Sequence, residues 1–167
     1  MISPGEIHEI DEIITLTKAC GSYMRENGID QWDENYPDRD RILVDLESKT
    51  LFAYRENSTI IGIVVLNENQ DEEYAEINWS TNDDNRNIVL HRLAVHPNQQ
   101  GKGIAREIMD FAEQFAKEQN YDSIRLDTFS QNQRSQKFYT NRGYTDLGPI
   151  YLKYKKDHPY FCYELIL

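Results

Sequence analysis

A short glycine-rich segment, residues 100–106, contains the residue types best suited to chemistry in this chain: Gln-Gly-Lys-Gly-Ile-Ala-Arg. Gly101 and Gly103 permit positive φ angles and leave no Cβ in the way of a ligand. The segment opens a helical pattern, and the first amides of a helix lack internal partners and lie at its positive end. Such a turn is an anion site, most naturally for phosphate.

Two common phosphate motifs do not fit this segment. A Walker A motif requires Ser or Thr after its lysine, whereas Lys102 is followed by Gly103. The dinucleotide fingerprint requires a third glycine where this chain has Arg106. The pattern Gln/Arg-x-x-Gly-x-Gly/Ala does fit, through Gln100, Gly103 and Ala105. It resembles the coenzyme A pyrophosphate loop of the GCN5-related N-acetyltransferases (GNAT superfamily), although a plain strand-to-helix joint is the alternative.

A second motif supports the same resemblance. Asn132 is followed by Ser135, by Phe138-Tyr139 and by Gly143-Tyr144. GNAT members have Asn, a small residue that is usually Ala, then Phe-Tyr and Gly-Phe or Gly-Tyr, so Ser135 is a mild departure. The resemblance covers residues 50–167 well, whereas the first 45 residues match in being helical.

The resemblance implies a set of binding residues for acetyl-CoA, the cofactor that serves as co-substrate. The pantetheine arm pairs with a strand backbone as an added strand, and the pyrophosphate takes the amides of the glycine turn. Asn132 contacts the pantetheine or caps the next helix. The cofactor residues are Leu93, Ala94, Val95, Gln100, Gly101, Lys102, Gly103, Ile104, Ala105, Arg106, Asn132 and Ser135.

The implied reaction is direct attack of an amine on the acetyl thioester. By resemblance, Tyr139 is the general acid for the departing sulfur; the alternative is a core aromatic beside Phe138. His91 is the first candidate for the base, because its ordinary pKa near 6.5 suits proton transfer at neutral pH. A histidine that bonds a neighbouring strand is the alternative. Glu76, predicted on an adjacent strand, is the second candidate, and water is the third.

Aromatic residues in polar segments are the candidates for acceptor binding. Trp32 and Tyr36 lie in a turn-prone stretch, and Trp79 follows at the end of a predicted strand. They could line a pocket for a cation, or Trp32 and Tyr36 could plug one end of the core. The resemblance implies that the acceptor is a primary amine of a small molecule or a peptide. A non-catalytic acyl-CoA-binding or sensor module is the alternative function, and a homodimer is left open.

Composition limits the class of protein. The length of 167 residues predicts one domain over 1–167, which the resemblance implies is an N-acetyltransferase (GNAT) domain. A net charge of −11 argues against a nucleic-acid partner and weakly favours a cationic substrate. Cys20 and Cys162 lack metal-ligand spacing, as do the four histidines. No signal-peptide pattern and no apolar stretch of ~20 residues is visible, which predicts a cytoplasmic protein without a membrane partner.

The elements that must position these residues follow from periodicity. Residues 87–96, 103–119 and 123–129 predict a strand, a helix and a parallel strand. The fold that the GNAT resemblance implies is a mixed, mostly antiparallel α/β (α+β) sheet with a central splayed parallel pair, flanked by helices. The remaining predictions are a helix from a Ser3 N-cap, a helix over 38–48, strands over 51–55, 60–66, 74–79, 144–147 and 160–167, a helix over 131–141, and a Lys-rich loop over 149–159.

Overall fold

The computed structural model of the chain describes residues 1–82, 84–153 and 157–167. Within these residues, seven strands and four α-helices alternate with three 3-10 helices, Ile7–Glu9, Glu72–Glu76 and Pro97–Gln99. The strands and α-helices are, in chain order, β1 Ile2–Pro4, α1 Ile10–Glu26, α2 Arg39–Glu47, β2 Leu51–Glu56, β3 Thr59–Asn67, β4 Asn87–Val95, α3 Ile104–Glu118, β5 Ser123–Phe129, α4 Gln133–Asn141, β6 Thr145–Ile150 and β7 Tyr160–Ile166.

The seven strands form one mixed sheet in the order β1-β2-β3-β4-β5-β7-β6. β1 with β2, β2 with β3, β5 with β7, and β7 with β6 are antiparallel pairs. β4 and β5 are parallel, with Asn87–Val89 beside Ser123–Arg125. The predicted mixed sheet with its parallel pair is therefore confirmed.

The chain divides into two compact units, each built from two segments. The first unit comprises Met1–Leu66 and Leu90–Ala112, and the second comprises Asn67–Val89 and Glu113–Leu167. The first unit has an aliphatic core in which α1 and α2 pack against β2 and β3. The core of the second unit is rich in tyrosine and includes Tyr74, Tyr139, Tyr144, Tyr160 and Tyr163. One domain over 1–167 stays a prediction.

The predicted helix start at Ser3 is wrong. Residues 2–4 form β1, which pairs with β2, and α1 begins at Ile10 after a 3-10 turn. Tertiary bonds outweigh the local Ser-Pro signal, because Gly5 N donates to Leu51 O at 2.8 Å and the Arg55 guanidinium donates to Ser3 Oγ at 2.7 Å. The sequence therefore predicts a helix in this region correctly, but its predicted start precedes the observed start.

The predicted strand over residues 74–79 is also wrong. Glu72–Glu76 is a 3-10 helix, in which Tyr74 is buried and Glu76 is exposed. Tyr74 and Trp79, which a strand would place on opposite faces, instead pack against each other, with ring centroids 5.1 Å apart. Glu76 consequently lies on a 3-10 turn, and the strand that motivated its role as a base does not exist.

Other sequence predictions agree with the structure. The helix predicted over 38–48 is α2, which Asp38 caps by accepting a hydrogen bond from Arg41 N. The strand predicted over 60–66 belongs to β3, and Gly62 lies there at an irregularity in the pairing with β2, where Ile61 is the extra residue. The Lys-rich loop over 149–159 is described in part: Pro149 and Ile150 belong to β6, whereas residues 154–156 lie outside the described residues.

Candidate active site

The glycine turn has the backbone that the sequence predicts for an anion site. Gly101 and Gly103 have φ angles of 79° and 88°, in the left-handed region that favours glycine. A Cβ built on either residue would meet nothing within 4 Å. The glycines are therefore required by the backbone conformation rather than by crowding within the protein, and the space beside them is open to a ligand.

Helix α3 starts directly after this turn. Its first hydrogen bonds run from Arg106 N and Glu107 N to Gly103 O, at 2.9 and 3.1 Å. The amides that precede them lie at the positive end of a 15-residue helix. Lys102 and Arg106 are exposed and add positive charge, although Lys102 Nζ also donates to Gln99 Oε1 at 2.7 Å. The donors and charges fit a pyrophosphate.

The end of β4 is fixed by bonds to its last carbonyl. Val95 O accepts from the buried Cys20 thiol and from Gln100 Nε2, both at 3.3 Å. Burial raises the pKa of the Cys20 thiol to about 12, so this cysteine is inert. Gln100 therefore links the turn to the strand, and an added strand would have to pair with backbone groups other than Val95 O.

Arg92 interrupts β4 in a way that sequence reasoning missed. Its φ of 51° lies in the left-handed region, which is unusual for a non-glycine residue within a strand. A regular strand would place His91 and Leu93 on one face, but this period-2 alternation does not hold across such a residue. Both His91 and Leu93 are half-buried.

In the second unit, Tyr139 on α4 lies within a cluster of aromatic rings. Its side chain is buried, with ring centroids 5.9 Å from Tyr144 and 6.0 Å from Tyr163. Burial raises the pKa of Tyr139 well above its ordinary value, and Asp127 and Tyr163 raise it further. The phenol is therefore protonated at neutral pH and can act as a hydrogen-bond donor. The alternative interpretation of Tyr139 as a core aromatic also agrees with the structure, because its ring packs against the other rings of this cluster.

Asp127 on β5 is a candidate functional residue that sequence reasoning missed. Its Oδ2 accepts a hydrogen bond from the Tyr74 hydroxyl at 2.6 Å. Burial raises the pKa of Asp127 to about 6, against the bond from Tyr74. A carboxylate in this range can exchange protons near neutral pH. The signal available in the sequence was a single acid inside the otherwise buried strand Ser123–Phe129.

The remaining predicted site residues have structural partners. Asn132 is the N-cap of α4, where its side chain accepts from Ser135 N at 3.2 Å, so its alternative role as a cap is confirmed. Trp32 is buried in the core of the first unit. Tyr36 is half-buried and its hydroxyl accepts from Arg92. In the second unit, the Arg125 guanidinium stacks on Trp79 at 4.4 Å.

Among the described residues, no group of three or more His, Cys, Asp or Glu side chains could hold a metal ion. No helix in the described part of the chain is long and apolar enough to cross a membrane.

The model of the acetyltransferase (GNAT) family matches residues 11–144. The chain therefore belongs to the GNAT acetyltransferase family. Its glycine turn and its Tyr139 motif both lie within the matched residues. Among curated protein sequences, none matches the chain significantly.

Solved structures resemble the whole chain. A GNAT-family acetyltransferase from Streptococcus agalactiae is 24% identical, with a TM-score of 0.85 over 100% of this chain and 95% of that one. PaiA N-acetyltransferase from Thermoplasma acidophilum, in complex with coenzyme A, is 18% identical, with a TM-score of 0.75 over 100% and 98%. The structure of yncA from Salmonella typhimurium, solved with its cofactor acetyl-CoA, is 16% identical, with a TM-score of 0.73 over 100% of this chain and 93% of that one. At these identities the likeness establishes the fold.

Proposed function

We propose that the chain is a single-domain, acetyl-CoA-dependent N-acetyltransferase that acetylates a primary amine by direct attack. The observation that carries the proposal is the open glycine turn at the N-terminus of α3, within a chain of the GNAT family. Acetyl-CoA would supply the activated acetyl thioester. That two structures of the same fold contain acetyl-CoA or coenzyme A supports this choice of cofactor.

In this proposal the first unit binds the cofactor. The amides from Gly101 onwards hold the pyrophosphate, and Lys102 and Arg106 neutralise its charge. The backbone of Leu93–Ala94 pairs with the pantetheine, while Val95 O stays bonded to Cys20 and Gln100. Asn132 and Ser135 of the second unit remain predicted cofactor contacts.

Tyr139 is the proposed proton donor to the leaving sulfur. Its support is the protonated, buried phenol in the family motif Phe138-Tyr139. A phenol with a raised pKa holds its proton until negative charge develops on the acceptor. The hydrogen bond therefore gains most of its strength in the transition state, which is the requirement for catalysis.

Three residues are candidates for the base that receives the amine proton. His91 is the first, on the argument of its ordinary pKa. Glu76 is weakened as a candidate because its strand is absent and its side chain is exposed. Asp127 gains support from its pKa of about 6 and from its electrostatic effect on Tyr139.

Substitutions separate these candidates better than a pH profile alone, because a histidine and an Asp127 with a pKa of about 6 titrate close together. We expect the acidic limb of kcat/KM to flatten in either His91→Gln or Asp127→Asn, but not in both. Steady-state kinetics from pH 5 to pH 8 measures this limb. An unchanged limb in both variants would transfer the role to Glu76 or to water.

The acceptor is proposed as a small-molecule or peptide amine, in a cytoplasmic setting. Trp32, Tyr36 and Trp79 remain the predicted acceptor residues, and Tyr36 is the strongest because its ring is only partly buried. A non-catalytic acyl-CoA sensor, the alternative function, would use the same glycine turn to bind acyl-CoA but would not consume it. An acetyl-CoA consumption screen against amines, amino acids and peptides distinguishes the enzyme from the sensor.

Substitution of the glycine turn tests cofactor binding directly. Gly103→Glu places a strained side chain and a negative charge at the proposed pyrophosphate site, and we expect calorimetry to detect no coenzyme A binding. Gly28→Glu is the matched control, because Gly28 is exposed, has a φ of 76° and likewise has open space at its Cβ position. Circular dichroism should report a folded chain for both. Undiminished binding by Gly103→Glu would refute the assignment of the turn.

A further inference from the structure

Arg92 is held in a strained conformation at a sensitive place. Its φ of 51° costs free energy for a residue with a Cβ, and such strain persists where surrounding contacts enforce it. It lies in β4 between His91 and the backbone of Leu93, which the proposed function assigns to proton transfer and to the pantetheine. A change in the backbone at Arg92 would therefore redirect both neighbours.

The contacts that enforce this conformation come from the segment between α1 and α2 and from α2 itself. Arg92 Nη2 lies 2.7 Å from Asp45 Oδ1, and Nη1 donates to the Tyr36 hydroxyl at 3.0 Å. The Arg92 and Asp45 side chains are 6% and 4% exposed, so the ion pair is almost fully removed from water. The Tyr36 ring in turn packs edge-on against Trp32, with centroids 6.1 Å apart.

This ion pair is not optimised for stability. Asp45 Oδ2 and Arg92 Nε are buried and have no hydrogen-bond partner among the described residues. A buried pair with incomplete hydrogen bonding is a poor source of stability, because the cost of removing its charges from water is only partly recovered. The pair does, however, fix the direction of one side chain within a strand, which an apolar contact would do less specifically.

We propose that Arg92 is a positioning residue, anchored by Asp45 and Tyr36, that holds the left-handed turn of β4 and thereby aims Leu93–Ala94 and His91. The inference rests on the proposed function and adds to it a residue with no part in proton transfer or in cofactor contact. It also connects the segment that carries Tyr36, a predicted acceptor residue, to the strand that is proposed to bind the cofactor.

Two substitutions at position 92 separate the anchor from the backbone conformation. Arg92→Ala removes the guanidinium and disfavours the left-handed φ, whereas Arg92→Gly removes the guanidinium but tolerates that φ. We expect Arg92→Ala to lower kcat/KM by ~10²-fold, since small misplacements of reacting groups cost this much. Arg92→Gly should lose less kcat/KM. Both variants should raise KM for acetyl-CoA by a larger factor than that by which they lower the fraction of folded protein.

Arg55→Ala is the matched control within the same unit. Arg55 forms a partly buried ion pair with Glu9, in which Nε lies 2.8 Å from Oε1, far from any proposed site residue in the sequence. This variant should lose stability in urea but keep the wild-type KM and kcat. Its behaviour sets the level of kinetic change that loss of a structural ion pair produces.

Tyr36→Phe keeps the test decisive if the Arg92 variants do not fold, because it removes one hydroxyl and retains the ring. Amide hydrogen exchange of residues 92–95 should become faster in this variant, and kcat/KM should fall by a smaller factor than in Arg92→Gly. Wild-type rates of exchange and turnover in the folded variants would overturn the inference. Failure of the wild-type protein to bind coenzyme A in calorimetry would instead refute the proposed function.

Discussion

Among the residues that the structure describes, each unit contains one arginine–carboxylate pair that is almost fully buried, and the two pairs are bonded very differently. In the first unit, Asp45 Oδ2 and Arg92 Nε have no hydrogen-bond partner within the described part of the chain. In the second, Arg125 donates to Gln70 Oε1 at 2.8 Å and to Thr81 O at 2.7 Å, and its Nε lies 3.4 Å from Glu164 Oε1. The second arginine thus organises a polar network, whereas the first makes two directed contacts.

The two carboxylates respond in opposite directions. Burial raises the pKa of Asp45, and the Arg92 guanidinium offsets this only in part. Burial also opposes ionisation of Glu164, but hydrogen bonds from Thr81, from Ser80 N and from Ser123 outweigh it and lower the pKa of Glu164. The comparison teaches that hydrogen bonds to a buried carboxylate, more than the presence of an arginine, decide whether its charge is stabilised.

The largest expected effect tests this difference in stability. Arg125→Met leaves Glu164 buried without its cation and removes the donors to Gln70 and Thr81, so the free energy of unfolding should fall by ~3–5 kcal/mol. Arg92→Met should cost less, because fewer hydrogen bonds are lost. Urea denaturation of both variants and of the wild type measures the two changes. Equal losses would contradict the contrast between the pairs.

The next effect separates the units by function. Tyr139→Phe keeps the ring and its packing in the second unit but removes the proposed proton donor, so kcat should fall by at least ~10²-fold. Affinity for acetyl-CoA, which is assigned mainly to the first unit, should change little, and calorimetry and steady-state kinetics measure the two separately. A variant with normal kcat would assign protonation of the thiolate to water. Lost affinity would make Tyr139 a binding residue and favour the sensor.

The smallest effect concerns the pH dependence of the second unit. The pKa of Asp127 is about 6 in the folded state against an ordinary 3.8, so the folded protein binds this proton more tightly than the unfolded chain. The resulting stabilisation is fully present below pH 4 and is lost as the pH rises through 6. It amounts to at most ~3 kcal/mol for a shift of about two pKa units.

Asp127→Asn isolates this contribution, because the amide still accepts from Tyr74 but does not titrate. The free energy of unfolding of the wild type, measured relative to that of Asp127→Asn, should decrease between pH 4 and pH 7. Urea denaturation at intervals of one pH unit measures it. A difference that stays constant with pH would remove the support for Asp127 as a base candidate.

The sequence predicted elements whose signals are local. Strand β5 was predicted with its observed bounds because the turn residues 120–122 lead into it, and α2 was predicted over 38–48 from the helical spacing of Ile42, Leu43 and Leu46. The glycine turn was also predictable from the sequence, because glycine readily adopts the positive φ angles that Gly101 and Gly103 have. The pairing of β5 with β7 agrees with the local preference of β5 rather than overriding it.

The parts that were missed depend on contacts far along the chain. The left-handed Arg92 is enforced by Asp45, 47 residues earlier. The 3-10 turn that replaces the predicted strand over 74–79 holds Tyr74 against Asp127, 53 residues later. Asp127 itself gains its raised pKa from burial, which composition does not reveal. Residue types could identify the candidate acid and the turn, but not the groups that adjust and position them.

The position of β7 in the sheet has a consequence for synthesis of the chain on the ribosome. β7 lies between β5 and β6, yet it is the last strand to be translated. All segments of the first unit have been translated at Ala112, whereas the second unit waits for 55 further residues, Glu113–Leu167. At ~5–20 residues per second this delay is about 3–11 s. Within that interval the edge of β5 has no β7 to pair with once Phe129 is translated, and the edge of β6 has none once Ile150 is translated. The nascent second unit is therefore the stage at which a chaperone would be needed most.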